Sequence, residues 1–269
     1  MFVPKLGVSF HNISHEVTPE AIDAVAHSEI ATLELFATLF RNDRSAAVAA
    51  FKGLFAACPV RPMTIHSTFG VEHDLSSLDP ATHARALHAL RDGLDLAVTL
   101  GARMVIIHAS AEPIPAEQRD ARREQTLAVL AEVTDEYRAA GVRGALELLP
   151  RTCLCNTLGE LTWFLDQLDP AVYGVCLDVN HAMDRYAMLP ILVGALGPRL
   201  ITTHLSDYDG VDEKHWLPGR GVIDWRALLH ALAEIDYQGP FNYECTGDGQ
   251  TPAERVHAYE ANFDWLSNL

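Results

Sequence analysis

Residues 104–110 read MVIIHAS, four apolar residues running into His108 just after a helical pattern that stops near Gly101. A run this short and this apolar predicts a buried strand that delivers a polar side chain at its end. Five more runs have the same form. MTIHST (63–68) delivers His66, GALELLP (144–150) Glu147, YGVCLDVNH (173–181) Asp178, LITTHLSD (200–207) His204 and FNYEC (241–245) Glu244. The delivered residues lie 42, 39, 31, 26 and 40 positions apart. Each interval has room for about one strand–helix unit.

Working outward, PKLGVSFH (4–11) and ATLELFA (31–37), which carries Glu34, predict two earlier strands. Helical segments separate all of them. Thr18–Pro19 and Asp79–Pro80 pair an N-cap with proline at the first helical position, and Thr251–Pro252 does the same for the last helix. DRSAAVAAFKGLFAA (43–57) is Ala-rich, and residues 115–141 form a helix closed by Gly141. Thr157 and Glu160 predict a capping box, DRYAMLPILVGALG (184–197) a helix with Pro190 inside it, and Asp224 the cap after a long loop, YDGVDEKHWLPGRGVI (208–223). Eight alternations with no linker between them predict one α/β domain over residues 1–269, a single (β/α)8 TIM barrel. An open doubly wound sheet is the alternative, and the Gly-rich phosphate turn it needs after strand one is absent.

Composition narrows the partners. The chain has 269 residues, 49% hydrophobic, and 20 Lys plus Arg against 36 Asp plus Glu, a net charge of −16. Such a surface repels phosphate backbones and anionic membranes, so no nucleic-acid or membrane partner is expected. Five cysteines without a CxxC pair predict reduced thiols and a cytoplasmic protein. MFVPKLGVSFHN lacks the apolar run of a signal peptide.

In a barrel the strand ends meet on one face, so Glu147, Asp178, His204 and Glu244 are expected to converge there. Two or three carboxylates with one imidazole suit a divalent ion, and that many acids in one pocket repel each other without one. His181 and His215 lie nearby, whereas His11 and Glu34 are weaker candidates read as structural. Cys153 and Cys155 in RTCLCNT have no assigned base and read as buried structural thiols. PGRG (218–221) reads as a tight turn, with Arg220 or Arg151 available to neutralise an anionic substrate group.

ALELLPRTCLCNT, GVCLDVNHA, HLSDYDGVDEKHWLPGRGVIDW and NYEC together resemble the sugar phosphate isomerase/epimerase superfamily, the xylose isomerase-like TIM barrels. In its ketose 3-epimerases a Glu, Asp, His, Glu set holds manganese or cobalt, and Glu147, Asp178, His204 and Glu244 match it in order. The resemblance implies one divalent ion, manganese first, with cobalt, magnesium or zinc as alternatives. It implies that Glu147 and Glu244 exchange a proton with a ketose carbon through an enediolate, and that His181 contacts a small sugar-like substrate. His66, His108 and His215 are expected on the adjoining wall, and assembly as a homodimer or homotetramer is common among such relatives. The chain departs where that group carries a substrate-binding Glu (Cys153 here), an Arg (Gly210 here) and PGEG (PGRG here). The metal chemistry is therefore expected to be kept and the substrate grip altered.

Dehydration of a keto-inositol, or aldose–ketose isomerisation, would start from the same proton abstraction. A non-catalytic metal-binding protein is disfavoured because the matched set includes both acid/base groups. His66, His108, Glu147, Asp178, His181, His204, His215 and Glu244 also resemble most ligands of the trinuclear zinc site of endonuclease IV-type nucleases. Against that reading, His215 follows Asp212 by three residues rather than in an Asp-x-His pair, and the acidic charge opposes DNA.

Overall fold

A computed structural model describes residues 4–269. The first three positions of the MFVPKLGVSFHN segment lie outside them. Strands β1 (Leu6–Ser9), β2 (Thr32–Phe36), β3 (Arg61–His66), β4 (Met104–Ile107), β5 (Arg143–Glu147), β6 (Tyr173–Asp178), β7 (Leu200–Leu205) and β8 (Phe241–Tyr243) pair in parallel and in sequence order. β8 returns to β1, which closes a barrel. This is the (β/α)8 architecture expected from the alternation.

The helices pack outside, opened by the caps that the sequence advertises. They are α1 (Phe10–Ile13), α2 (Pro19–Ala26), α3 (Arg44–Ala57), α4 (Pro80–Leu100), α5 (Arg119–Ala140), α6 (Leu158–Leu165), α7 (Leu189–Leu196), α8 (Trp225–Glu234) and α9 (Pro252–Ser267). Thr18, Asp43, Asp79, Thr157, Asp224 and Thr251 each accept a backbone N–H of the first turn. Each such cap contributes about 1 kcal/mol. Outward-facing strand residues such as Val8, Leu33, Leu35, Val105, Ile107, Leu146, Val175 and Leu177 are fully buried between sheet and helices.

The barrel interior is divided. Ile106, Ala145 and Cys176 form a small apolar cluster with Ile201. Ser9, Thr32, Glu34, Thr64, Thr202 and Asn242 are buried polar residues. Strand pairing puts Ser9 beside Glu34, Glu34 beside Thr64, and His204 beside Asn242. Polar side chains therefore fill the interior on the β1, β2, β7 and β8 side.

Three local expectations need correction. The first strand stops at Ser9, and Phe10–Ile13 is a helical turn that carries His11. Pro190 does not interrupt a helix: 3-10 turns over Asn180–Met188 break at Met183 (φ 53), and Pro190 then sits in the first turn of α7. The Thr157–Glu160 box is half made. Thr157 accepts the Glu160 N–H, but the Glu160 carboxylate is taken by Arg119 and the Cys155 N–H.

Candidate active site

Glu147, Asp178 and His204 stand at or near the C-terminal ends of β5, β6 and β7, and Glu244 directly follows β8. One ligand-type atom from each lies within 4.8 Å of the others. His204 Nδ1 is 2.7 Å from Glu244 Oε2, 3.3 Å from Glu147 Oε1 and 3.9 Å from Asp178 Oδ2. Asp178 Oδ1 accepts the N–H groups of Asn180 and His181, at 2.8 and 3.1 Å. Its Oδ2 turns into the site with no hydrogen-bond partner. Three buried ligand groups and the half-buried Glu244, three of the four carboxylates, with an orphaned oxygen aimed among them fit a hard or borderline divalent cation.

Two further donor groups adjoin this one: His66, His108 and Glu147, and His181, Glu213 and His215. His108 Nε2 lies 2.9 Å from Glu147 Oε2 and His66 Nε2 3.5 Å from it. Yet neither His108 Nε2 nor Glu147 Oε2 has a hydrogen-bond partner. Two ligand atoms that close and misaligned for a hydrogen bond suit a shared cation. His66 Nδ1 lies 3.0 Å from the Ser67 carbonyl, His181 Nδ1 2.9 Å from Leu148 O, and His215 Nδ1 3.0 Å from Glu244 O. Each ring that donates its Nδ1–H there presents the Nε2 lone pair inward, the orientation that outer contacts impose on metal-binding histidines.

Burial lowers the affinity of every imidazole here for a proton, and the carboxylates oppose it. For His204 the charges of Glu244, Glu34 and Glu147 more than offset burial and hold it well above its usual range. For His108 burial wins, and its pKa falls. Burial raises Asp178 to about 6, whereas Glu244, despite its burial, is held down at about 2 by His204. His215 resists burial through Glu213, Asp178 and Glu244, and reaches about 9.

These directions set a pH dependence for the metal-free protein. His215 binds a proton more tightly folded than unfolded, so its stabilisation is complete below pH 6.5 and is lost as pH rises to about 9. Asp178 acts in the same sense, losing its contribution as pH rises through about 6. Chelator-treated protein is therefore expected to lose about 2 kcal/mol between pH 6 and 9, after discounting for the partial exposure of His215. That is a fall of roughly 5 °C in Tm. Protein loaded with a divalent ion is expected to show a smaller fall, because the ion replaces the Asp178 proton and its charge weakens proton binding at His215. A scanning-calorimetry series with and without chelator checks both.

The long β7–α8 loop brings Glu213 and His215 to this face. Its anchor is Asp207, fully buried, whose carboxylate accepts from the backbone N–H groups of Tyr208, Gly219 and Ile223 and from Trp225 Nε1. Gly221 lies so close that a Cβ would stand 2.0 Å from Tyr208 O, and Gly219 has φ +87. PGRG is thus a turn, as read. Arg220 is not among the residues that line the cavity and bonds Asp248, with Nη1 2.8 Å from Oδ1. Arg151 does border the cavity, but Glu213, Glu112 and Asp212 surround its guanidinium at 2.6, 3.0 and 3.0 Å. Both arginines thus already have carboxylate partners.

The cavity at this face encloses about 630 Å³, with His66, His108, His181 and His215 in its lining. His11, set aside from sequence, lines it too. His11 stacks on Phe36, Phe36 on His66, and Phe69 lies tilted over His108. Cys153 borders the cavity, but burial pushes its thiol up to about 11. It stays protonated at neutral pH, in keeping with a structural thiol. Sequence reasoning missed Glu213. Its signal was the short step Glu213-Lys214-His215, which lets the two side chains meet, with His215 Nε2 3.5 Å from Glu213 Oε1.

Known proteins share both the barrel and parts of this sequence. The xylose isomerase-like TIM barrel family profile matches residues 22–269. The chain belongs to that family. The L-ribulose 3-epimerase of Methylomonas sp. (strain DH-1) is 28% identical over 185 residues, 66% of this chain and 63% of that protein. The inosose isomerase of Bacillus subtilis (strain 168) is 26% identical over 176 residues, 62% of each chain. The chain thus matches less than two thirds of these relatives' own length. A crystal structure of the IOLI protein with a binding zinc atom superposes with TM-score 0.81 over 98% of both chains, at 17% identity, a likeness of fold. No helix among the described residues is long and apolar enough to cross a membrane.

Proposed function

We propose that this xylose isomerase-like barrel is a divalent-metal-dependent isomerase or epimerase of a ketose or related small sugar. The observation that carries the reading is a pair of carboxylates, Glu147 and Glu244, that both line the cavity and lie 3.3 and 2.7 Å from His204 Nδ1. The names of the matched relatives, an L-ribulose 3-epimerase and an inosose isomerase, support it. Glu147, Asp178, His204 and Glu244 would hold the ion, with manganese the first candidate. When bound there, a divalent ion supplies polarisation of a substrate carbonyl and compensation for the charge that develops beside it.

The rest of the chemistry falls to the chain's own residues. His204 keeps Glu244 ionised at neutral pH, and the surrounding histidines do the same for Glu147, so either carboxylate can accept a proton. One removes the proton from the carbon beside the carbonyl, and the other, once it has taken a proton from water, delivers it to the opposite face. His181, His66, His108 and His215 are positioned to touch substrate hydroxyls, and the ring wall of Phe36 and Phe69 covers an apolar face. With both arginines occupied, an uncharged substrate fits better than a phosphorylated one.

The test is hydrogen exchange. Ketoses and keto-inositols incubated with metal-loaded protein in deuterated water are expected to gain deuterium next to the carbonyl. Gain without loss of water supports epimerisation or isomerisation, and loss of water would move the assignment to a dehydratase. No exchange in any member of the panel, with metal bound, would refute the proton-transfer reading.

One observation favours a second reading. The donor groups on either side of the central one complete a set of three, with Glu147 shared between two of them. Three bound ions would suit hydrolysis of a phosphodiester by an endonuclease IV-type mechanism. The charge of −16 and the occupied arginines weigh against a DNA substrate.

A further inference from the structure

Glu34 lies in the middle of β2 and is fully buried. It belongs to none of the three donor groups and does not line the cavity. Its Oε2 is 3.0 Å from His204 Nε2, and Thr64 Oγ1 donates to that same oxygen at 2.8 Å. The β2–β3 register sets Thr64 directly beside Glu34. The His66 ring stacks against His204, with centroids 5.9 Å apart and planes 20° from parallel. His204 is therefore held on its edge by a carboxylate and on its face by a ring, while its Nδ1 points at Glu147, Asp178 and Glu244.

We infer that Glu34 is a positioning residue that keeps the His204 proton on Nε2 when an ion displaces the one on Nδ1, so that the Nδ1 lone pair faces the ion among the carboxylates. An imidazole has two nitrogens of similar basicity, and the group that accepts from one decides which remains free. A carboxylate in that place also makes the free nitrogen a stronger donor. Glu34 thus acts on the cation site only through His204, and Thr64 holds Glu34 in turn. The inference rests on the reading that Glu147, Asp178, His204 and Glu244 bind a divalent ion.

The test is calorimetric titration of Mn²⁺ into metal-free wild-type protein, Glu34→Gln and Thr64→Val, with Tm recorded for each metal-free form. Glu34→Gln, which keeps shape and an acceptor but removes the charge, is expected to raise the Kd about 10- to 100-fold. Thr64→Val, which only frees Glu34 to move, is expected to raise it about fivefold. In zinc-loaded wild-type protein, ¹⁵N shifts are expected to put the His204 proton on Nε2. An unchanged Kd in Glu34→Gln, with or without a lower Tm, reduces Glu34 to a structural role and overturns the inference while the metal reading stands. A proton found on Nδ1 of His204 overturns it equally. Should Glu34→Gln fail to fold, the Thr64→Val titration decides. Failure of wild-type protein to bind Mn²⁺ removes the metal reading and the inference together.

Discussion

Glu147→Gln and Glu244→Gln are each expected to cut kcat by about 10³-fold or more, because each removes a proton carrier and a charged ligand at once. The substitution preserves side-chain shape, so the barrel is expected to stay folded. Glu147 is within 3.5 Å of nitrogens on His66, His108, His181 and His204. A neutral amide there removes the charge that balances those rings. The measurement is kcat at saturating Mn²⁺, with circular dichroism and metal content recorded on the same samples. Turnover within tenfold of wild type in either variant, at full occupancy, would eliminate the two-carboxylate mechanism.

Stripping the metal is the second large effect. Chelation is expected to abolish turnover and to lower Tm, and added Mn²⁺ to restore both. An ion present at 1,000 times its Kd stabilises a folded chain by about 4 kcal/mol, or roughly 8–15 °C here. Elemental analysis of the loaded protein also separates the two functional readings. One ion per chain agrees with a single centre at Glu147, Asp178, His204 and Glu244. Two or three ions mean that the His66–His108 and His181–Glu213–His215 groups are filled as well, and would favour the hydrolytic reading.

The resulting site is only partly one that strand patterning can announce. His66, Glu147, Asp178 and His204 each close an apolar run, and Glu244 follows one, so alternation and convergence suffice to find them. Glu213 sits in a loop without periodicity. Its approach to His181 and His215 depends on Asp207, which ties three backbone N–H groups and Trp225 into one knot. Glu34 looked like an ordinary polar residue in a strand, because its partner His204 is 170 residues away in sequence. Arg151 and Arg220 show the reverse case. Both carry the charge an anionic substrate would need, but Glu112, Asp212, Glu213 and Asp248 already neutralise them. Which carboxylate an arginine reaches is set by loop paths rather than by local sequence.

The amino-acid sequence alone determined the eight-fold alternation, the closed barrel and the four residues of the central donor set. Those follow from short-range physics: apolar runs that must be buried, caps that satisfy helix ends, and strand ends that a parallel barrel brings to one face. Only the tertiary structure decided which nitrogen of each histidine faces the site, which arginines are free, and that Glu34 stands behind His204. Those outcomes depend on hydrogen bonds and charges between residues far apart in the chain, where a shift of an ångström changes the partner.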